Sequence, residues 1–98
     1  GIYRIAASSV PAEFEILGAY PNPFNAAVEI SFVTPEAGEV KMDVYDITGH
    51  KVTTLLDEEI SSGKNTVRWN ASDEPSGLYF YRIDNGEKVI SGTISLIK

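Results

Sequence analysis

The chain has 98 residues, no cysteine, and 8 basic against 14 acidic residues, for a net charge of −6. That is one small domain with a short flanking segment, lacking a disulfide framework, a thiol nucleophile and a thiolate metal site. An acidic chain without a basic stripe is matched neither to nucleic acid nor to an anionic membrane surface, and no apolar run nears the ~18 residues of a membrane span, so no membrane insertion is expected.

Apolar residues make up 43% and charged residues 22%, a balance that sustains a folded core. The chain opens on Gly1 without a secretory leader and is read as a piece of a longer precursor. Residues 1–11 carry little periodicity and are small and polar up to Pro11. They are expected to be a linker or the tail of an upstream domain, with the domain proper over 12–98.

Phe14 to Tyr20 reads as a first strand, bulged at Gly18. Tyr20-Pro21-Asn22-Pro23-Phe24-Asn25 follows. Each proline fixes φ and lacks an N–H, and each pushes the residue before it toward an extended conformation. The segment is therefore a rigid corner, expected to mark the way into the next strand without itself touching a partner. Val28, Ile30 and Phe32 then form one apolar face. Pro35-Glu36-Ala37-Gly38 is a turn. Val40, Met42 and Val44 share a face opposite Lys41, Asp43 and Tyr45. In Asp46-Ile47-Thr48-Gly49 the aspartate bonds its own backbone and the glycine supplies positive φ.

Val52 to Leu56 is a fourth strand that runs into Asp57-Glu58-Glu59. Ser61-Ser62-Gly63 turns the chain, and Thr66 to Asn70 sets Val67 and Trp69 on one side. After the loop from Ser72 to Gly77, Tyr79, Tyr81 and Ile83 alternate with Phe80 and Arg82. Asn85-Gly86 is a hairpin signal, with a type I′ turn needing φ > 0 at both positions. The last strand runs from about Lys88 to Ile97, with Ile90, Ile94 and Leu96 on one face. It is a candidate sheet edge, open to recognition by strand addition. About seven strands at spacings of roughly 8–12 residues, with no helix, predict an all-β immunoglobulin-like antiparallel β-sandwich. A small barrel is the alternative.

Catalysis lacks its parts. The one histidine, His50, sits in a turn, and nothing in the sequence marks a nucleophile elbow or an orienting carboxylate for it. Asp57-Glu58-Glu59 is contiguous, so neighbouring side chains point to opposite faces of a strand. No cofactor is expected. Calcium is the one ion the loops suggest, through Asp46 or Asp73-Glu74. Trp69, Tyr79 and Tyr81 are in phase with apolar neighbours and belong to the core. Tyr45 and Phe80 remain as candidates for stacking on a sugar.

The order of motifs resembles a known family. Pro21-Asn22-Pro23-Phe24-Asn25 leads into the strand ending at Phe32. Val44-Tyr45-Asp46-Ile47-Thr48-Gly49, then Trp69-Asn70, then Ser76-Gly77-Leu78-Tyr79-Phe80-Tyr81-Arg82 follow, and the chain closes in Lys98. Over about residues 11–98 this is similar to the type A C-terminal sorting domain of the type IX (Por) secretion system of Bacteroidetes and related bacteria. Ala26 and Ala27 stand where members often carry proline and serine, and Thr93 stands where a basic residue is common.

The resemblance implies a non-catalytic module that directs an exported cargo protein through the type IX outer-membrane machinery. Its cargo would lie N-terminal to it, pass the periplasm, and reach the cell surface or medium. A surface sortase often removes such domains and attaches the cargo to lipopolysaccharide, and here the cut is expected before Phe14. Pro21, Asn22, Pro23 and Asn25 would shape the corner, and Asp46, Gly49, Gly77 and Tyr79 the turns and core. Recognition would fall on the last strand, at Ile94, Leu96 and Lys98. The alternative is an immunoglobulin-like accessory or carbohydrate-adjacent module of a secreted hydrolase.

Overall fold

Strict alternation of apolar and polar residues makes a strand with one face to bury, and the chain forms strands where that pattern occurs. A computed structural model describes residues 13–98, and the linker expected over residues 1–11 lies outside them. The strands are β1 (Glu15–Tyr20), β2 (Ala27–Thr34), β3 (Gly38–Tyr45), β4 (Lys51–Ile60), β5 (Gly63–Asn70), β6 (Gly77–Asp84) and β7 (Val89–Leu96). The described residues contain no helix.

The strands sort into two antiparallel sheets, one in the order β1-β2-β5 and the other β4-β3-β6-β7. Their inner faces make one core. Val28, Ile30 and Phe32 of β2 and Trp69 of β5 join Val40, Met42 and Val44 of β3, Tyr79, Tyr81 and Ile83 of β6, and Ile94 and Leu96 of β7. Burying each large apolar side chain contributes roughly 1.5–3 kcal/mol of transfer free energy. The non-sequential neighbours β2-β5 and β3-β6 give the crossovers of an immunoglobulin-like sandwich. The fold class is as the sequence predicts.

Two details differ from the sequence expectation. Strand β4 is longer and takes in the acidic run, so that Lys41 pairs with Asp57 and Glu39 with Glu59. Its pairing with β3 also slips between Met42 and Asp43 and again between Val44 and Tyr45. Each slip leaves one residue of β4 without an opposite number, Leu55 and Val52. An extra residue re-aims the side chains after it, which lets Val52, Leu55, Leu56 and Ile60 all reach the core.

The second difference is the β6–β7 turn. Its N–H and C=O anchors are Asn85 and Lys88, joined at 3.2 Å, so the two central residues are Gly86 and Glu87. Gly86 has φ +94° and every positive φ in the described chain belongs to a glycine. Positive φ at the first central position alone is the II′ pattern. Asn85 therefore acts one place earlier than expected: its side-chain oxygen accepts from the N–H groups of Glu87 and Lys88 at 2.9 and 2.8 Å.

Candidate functional site

The proline-asparagine corner is docked on the outer edge of β7. Alternate residues of an edge strand turn their N–H and C=O away from the sheet. In β7 these are the odd-numbered residues, and the corner satisfies those nearest the end of the strand. Phe24 bonds in parallel register, donating its N–H to the Ser95 carbonyl and accepting from the Ile97 N–H, both at 2.8 Å. The Asn22 side chain does the same work with a primary amide. Its Oδ1 accepts from the Ser95 N–H at 3.1 Å, and its Nδ2 donates to the Thr93 carbonyl at 3.4 Å. Beyond the rigid way into the next strand expected of the corner, Asn22 and Phe24 together act as a short extra strand within the domain. Pro21, Pro23 and Asn25 are exposed around them. Both X–Pro bonds, at Pro21 and Pro23, are cis.

An aromatic column supports this contact from beneath. Phe24 stands 5.7 Å from Trp69, and Trp69 5.2 Å from Tyr79 in an edge-to-face arrangement. Such pairs add about 0.5–1.5 kcal/mol beyond the area they bury. The Tyr79 hydroxyl then donates to the Pro75 carbonyl, four residues upstream, at 2.6 Å. That is the tyrosine corner of immunoglobulin-like sandwiches. Burial first, and then the charges of Glu74 and Asp46, hold the Tyr79 phenol above its ordinary pKa.

The loop between β5 and β6 also receives Lys98. The Lys98 N–H donates to the Ser76 hydroxyl at 3.0 Å, and its ammonium donates to the Ser72 carbonyl at 2.5 Å. Gly77 begins β6 opposite Leu96. The Asp46 turn folds as predicted. Asp46 Oδ1 accepts from the Thr48 hydroxyl at 2.6 Å, the Thr48 N–H at 2.9 Å and the His50 N–H at 3.0 Å. Gly49 closes the turn by donating to the Asp46 carbonyl. The Thr48 hydroxyl is the main reason the Asp46 carboxyl lies below its ordinary pKa.

The three candidate recognition residues part company. Ile94 and Leu96 are 1% and 2% exposed and belong to the core. Their side chains face away from any partner of the folded domain, because even-numbered residues of β7 point inward. Lys98 is exposed. The outward side chains of β7 are Val89, Ser91, Thr93 and Ser95. Tyr45 and Phe80 lie directly opposite each other on β3 and β6, half-buried on the outer face of their sheet.

Sequence reasoning missed Asn22 and Phe24 as edge partners, Ser72 and Ser76 as the seat of Lys98, and Gly92 as the gap filled by Tyr81. A side-chain amide standing in for a peptide group has no periodicity by which it shows itself. The only local signal was the strength of the corner's turn chemistry.

This geometry offers edges, turns and a column of rings, with little that resembles a reaction centre. The hollow between Thr34–Val40 and Asn85–Glu87 contains no histidine or hydroxyl nucleophile pair. Among the described residues no three His, Asp or Glu side chains gather as metal ligands, and no helix is long and apolar enough to cross a membrane. The fold and its contacts define an immunoglobulin-like module. The secretion system C-terminal sorting domain is the family whose model matches, over residues 18–97, and the chain belongs to that family. The domain is thus a type IX sorting signal that meets the type IX secretion machinery, and the protein bearing it is exported to the cell surface or medium. Comparison with curated proteins finds no match.

Proposed function

We propose that residues 12–98 act as a detachable address. The domain engages the outer-membrane translocon after transit through the periplasm and carries an N-terminal cargo with it. A surface sortase then cuts in the small, polar segment before Phe14 and transfers the cargo to lipopolysaccharide. The observation that carries the reading is the family match over residues 18–97. The burial of Ile94 and Leu96 supports a recognition surface on the exposed side of the last strand and at Lys98.

The test is secretion of a reporter fused to residues 11–98 in a type IX-competent host. Deletion of residues 90–98 is expected to abolish secretion, but it also removes two core side chains. Lys98→Ala leaves the core in place and separates recognition from folding. Loss of secretion in Lys98→Ala, with unfolding unchanged, supports the reading. No secretion of the intact fusion, or secretion indifferent to the deletion, refutes it. The carbohydrate-module reading gains one favourable observation, the side-by-side placement of Tyr45 and Phe80. Polysaccharide binding lost in Tyr45→Ala and Phe80→Ala would favour it.

A further inference from the structure

Each sheet edge of a stable β-domain needs a device that discourages stray pairing, such as charge, a bulge, a proline or a cover. Three of the four edges here have one. Strand β1 is bulged between Ile16 and Gly18. Strand β4 bears Lys51, Asp57, Glu58 and Glu59, and β5 bears Lys64 and Arg68. Strand β7 differs, since Val89 to Ile97 contains no charged residue and no proline, and its register with β6 is unbroken.

The corner covers only part of that edge. Among the described residues, the outward Thr93 carbonyl, both Ser95 groups and the Ile97 N–H are bonded to Asn22 or Phe24. The outward N–H and C=O of Val89 and Ser91, and the N–H of Thr93, have no partner among them. The direction of these groups follows from the ladder. Asn85 N–H meets the Lys88 carbonyl, so even-numbered residues of β7 bond to β6 and odd-numbered ones face out.

We propose that the stretch Val89–Thr93 is a strand-addition site for an extended, uncharged segment of another protein, and that Asn22 sets where the added strand must stop. The chain itself demonstrates what this edge accepts, because Phe24 already lies on it in strand-like register. The side chains beside the open groups, Val89, Ser91 and Thr93, carry no charge that would select a charged partner. A second copy is the weaker occupant, because two chains of net charge −6 repel each other. Affinity would come from main-chain bonds and selectivity from alternate side chains. The site is defined by backbone groups, so it stands independently of the sorting reading.

The probe is an acetylated, amidated seven-residue peptide of alternating threonine and valine, added to the isotope-labelled chain and followed by amide exchange. At saturation, exchange of the Val89, Ser91 and Thr93 amides is expected to slow about tenfold, with Ser95 and Ile97 unchanged. A peptide N-methylated at alternate amides is expected to have no effect. Ser91→Pro removes an outward N–H and no bond to β6, so it is expected to abolish the protection while the β6 amides stay protected. In Asn22→Ala the footprint is expected to extend to Ser95. The proposal is overturned if saturating peptide protects none of the three amides, if protection falls on β1, β4 or β5, or if Ser91→Pro leaves it intact. Protection that grows with protein concentration in the absence of peptide assigns the edge to a second copy and also overturns it. A footprint that stays put in Asn22→Ala removes Asn22 from the role of stop.

Discussion

Tyr79→Phe removes one hydroxyl and leaves everything else that Tyr79 does. The ring keeps its edge-to-face contact with Trp69 at 5.2 Å, so packing is held constant. What is lost is the 2.6 Å bond to the Pro75 carbonyl, which lies at the short end of the hydroxyl range. The net value of such a bond is about 0.5–1.5 kcal/mol, and a stranded carbonyl in a part-buried place costs about 1–3 kcal/mol. A loss of about 1–2 kcal/mol is expected by urea unfolding at pH 7, corresponding to a fall in Tm of roughly 5–15 °C for a domain of this size. The alkaline limb supplies a second readout. The folded state raises the phenol's pKa above its ordinary value of 10.0, so it favours the protonated form. That share of the stability is whole below about pH 10 and is lost as pH rises through the folded value. The gap between wild type and Tyr79→Phe is therefore expected to narrow above pH 10. A change of less than about 0.3 kcal/mol at pH 7, or a gap that persists at high pH, would refute the reasoning.

Gly92→Ala is expected to destabilise by about 1–3 kcal/mol in urea unfolding, because the new methyl meets the hydroxyl and ring of Tyr81, which is itself buried. Asn22→Ala is expected to cost about 1 kcal/mol and to speed amide exchange at Ser95, whose N–H loses its acceptor, while Phe24 holds Ile97 protected. The Asp46 carboxylate is favoured by its turn, so its contribution is present above the ordinary value of 3.8 and is lost as pH falls through the lower folded value. Acid unfolding of Asp46→Ala, followed by circular dichroism, is expected to lack that component.

What was legible in the sequence was local. Val28, Ile30 and Phe32 announce a face by their own spacing, as do Tyr79, Tyr81 and Ile83, and all six are buried. The Asp46 turn was legible because its donors, Thr48 and His50, lie within four residues. The Asn85-Gly86 hairpin was legible in place but not in type, since asparagine serves equally well as a turn residue and as the anchor before one. The bulges at Val52 and Leu55 were not legible, because β4 carries apolar residues at both parities. The site was hidden for a different reason. Asn22 finds its partners 71 and 73 residues downstream, and Lys98 finds Ser72 26 residues upstream. No window of sequence holds both ends of such a contact. Ile94 and Leu96 were read as recognition residues through resemblance, although their own alternation with Ser95 already marked them as core.

The contact between the corner and β7 makes the domain's completion depend on residues near the end of its sequence. Phe24 and Asn22 lack their hydrogen-bond partners on β7 until Thr93 through Ile97 are in place, and the first half of β6, Gly77 to Phe80, has no outer neighbour until then. Closing a loop this long is entropically slow, so the last pairing to form is also the one that seals the sandwich. A chain cut short before Thr93 keeps the corner, the Asp46 turn and most of the aromatic column, yet leaves the inner layer without Ile94 and Leu96. The fold therefore works as a test of intactness: only a chain translated through its last strand can close.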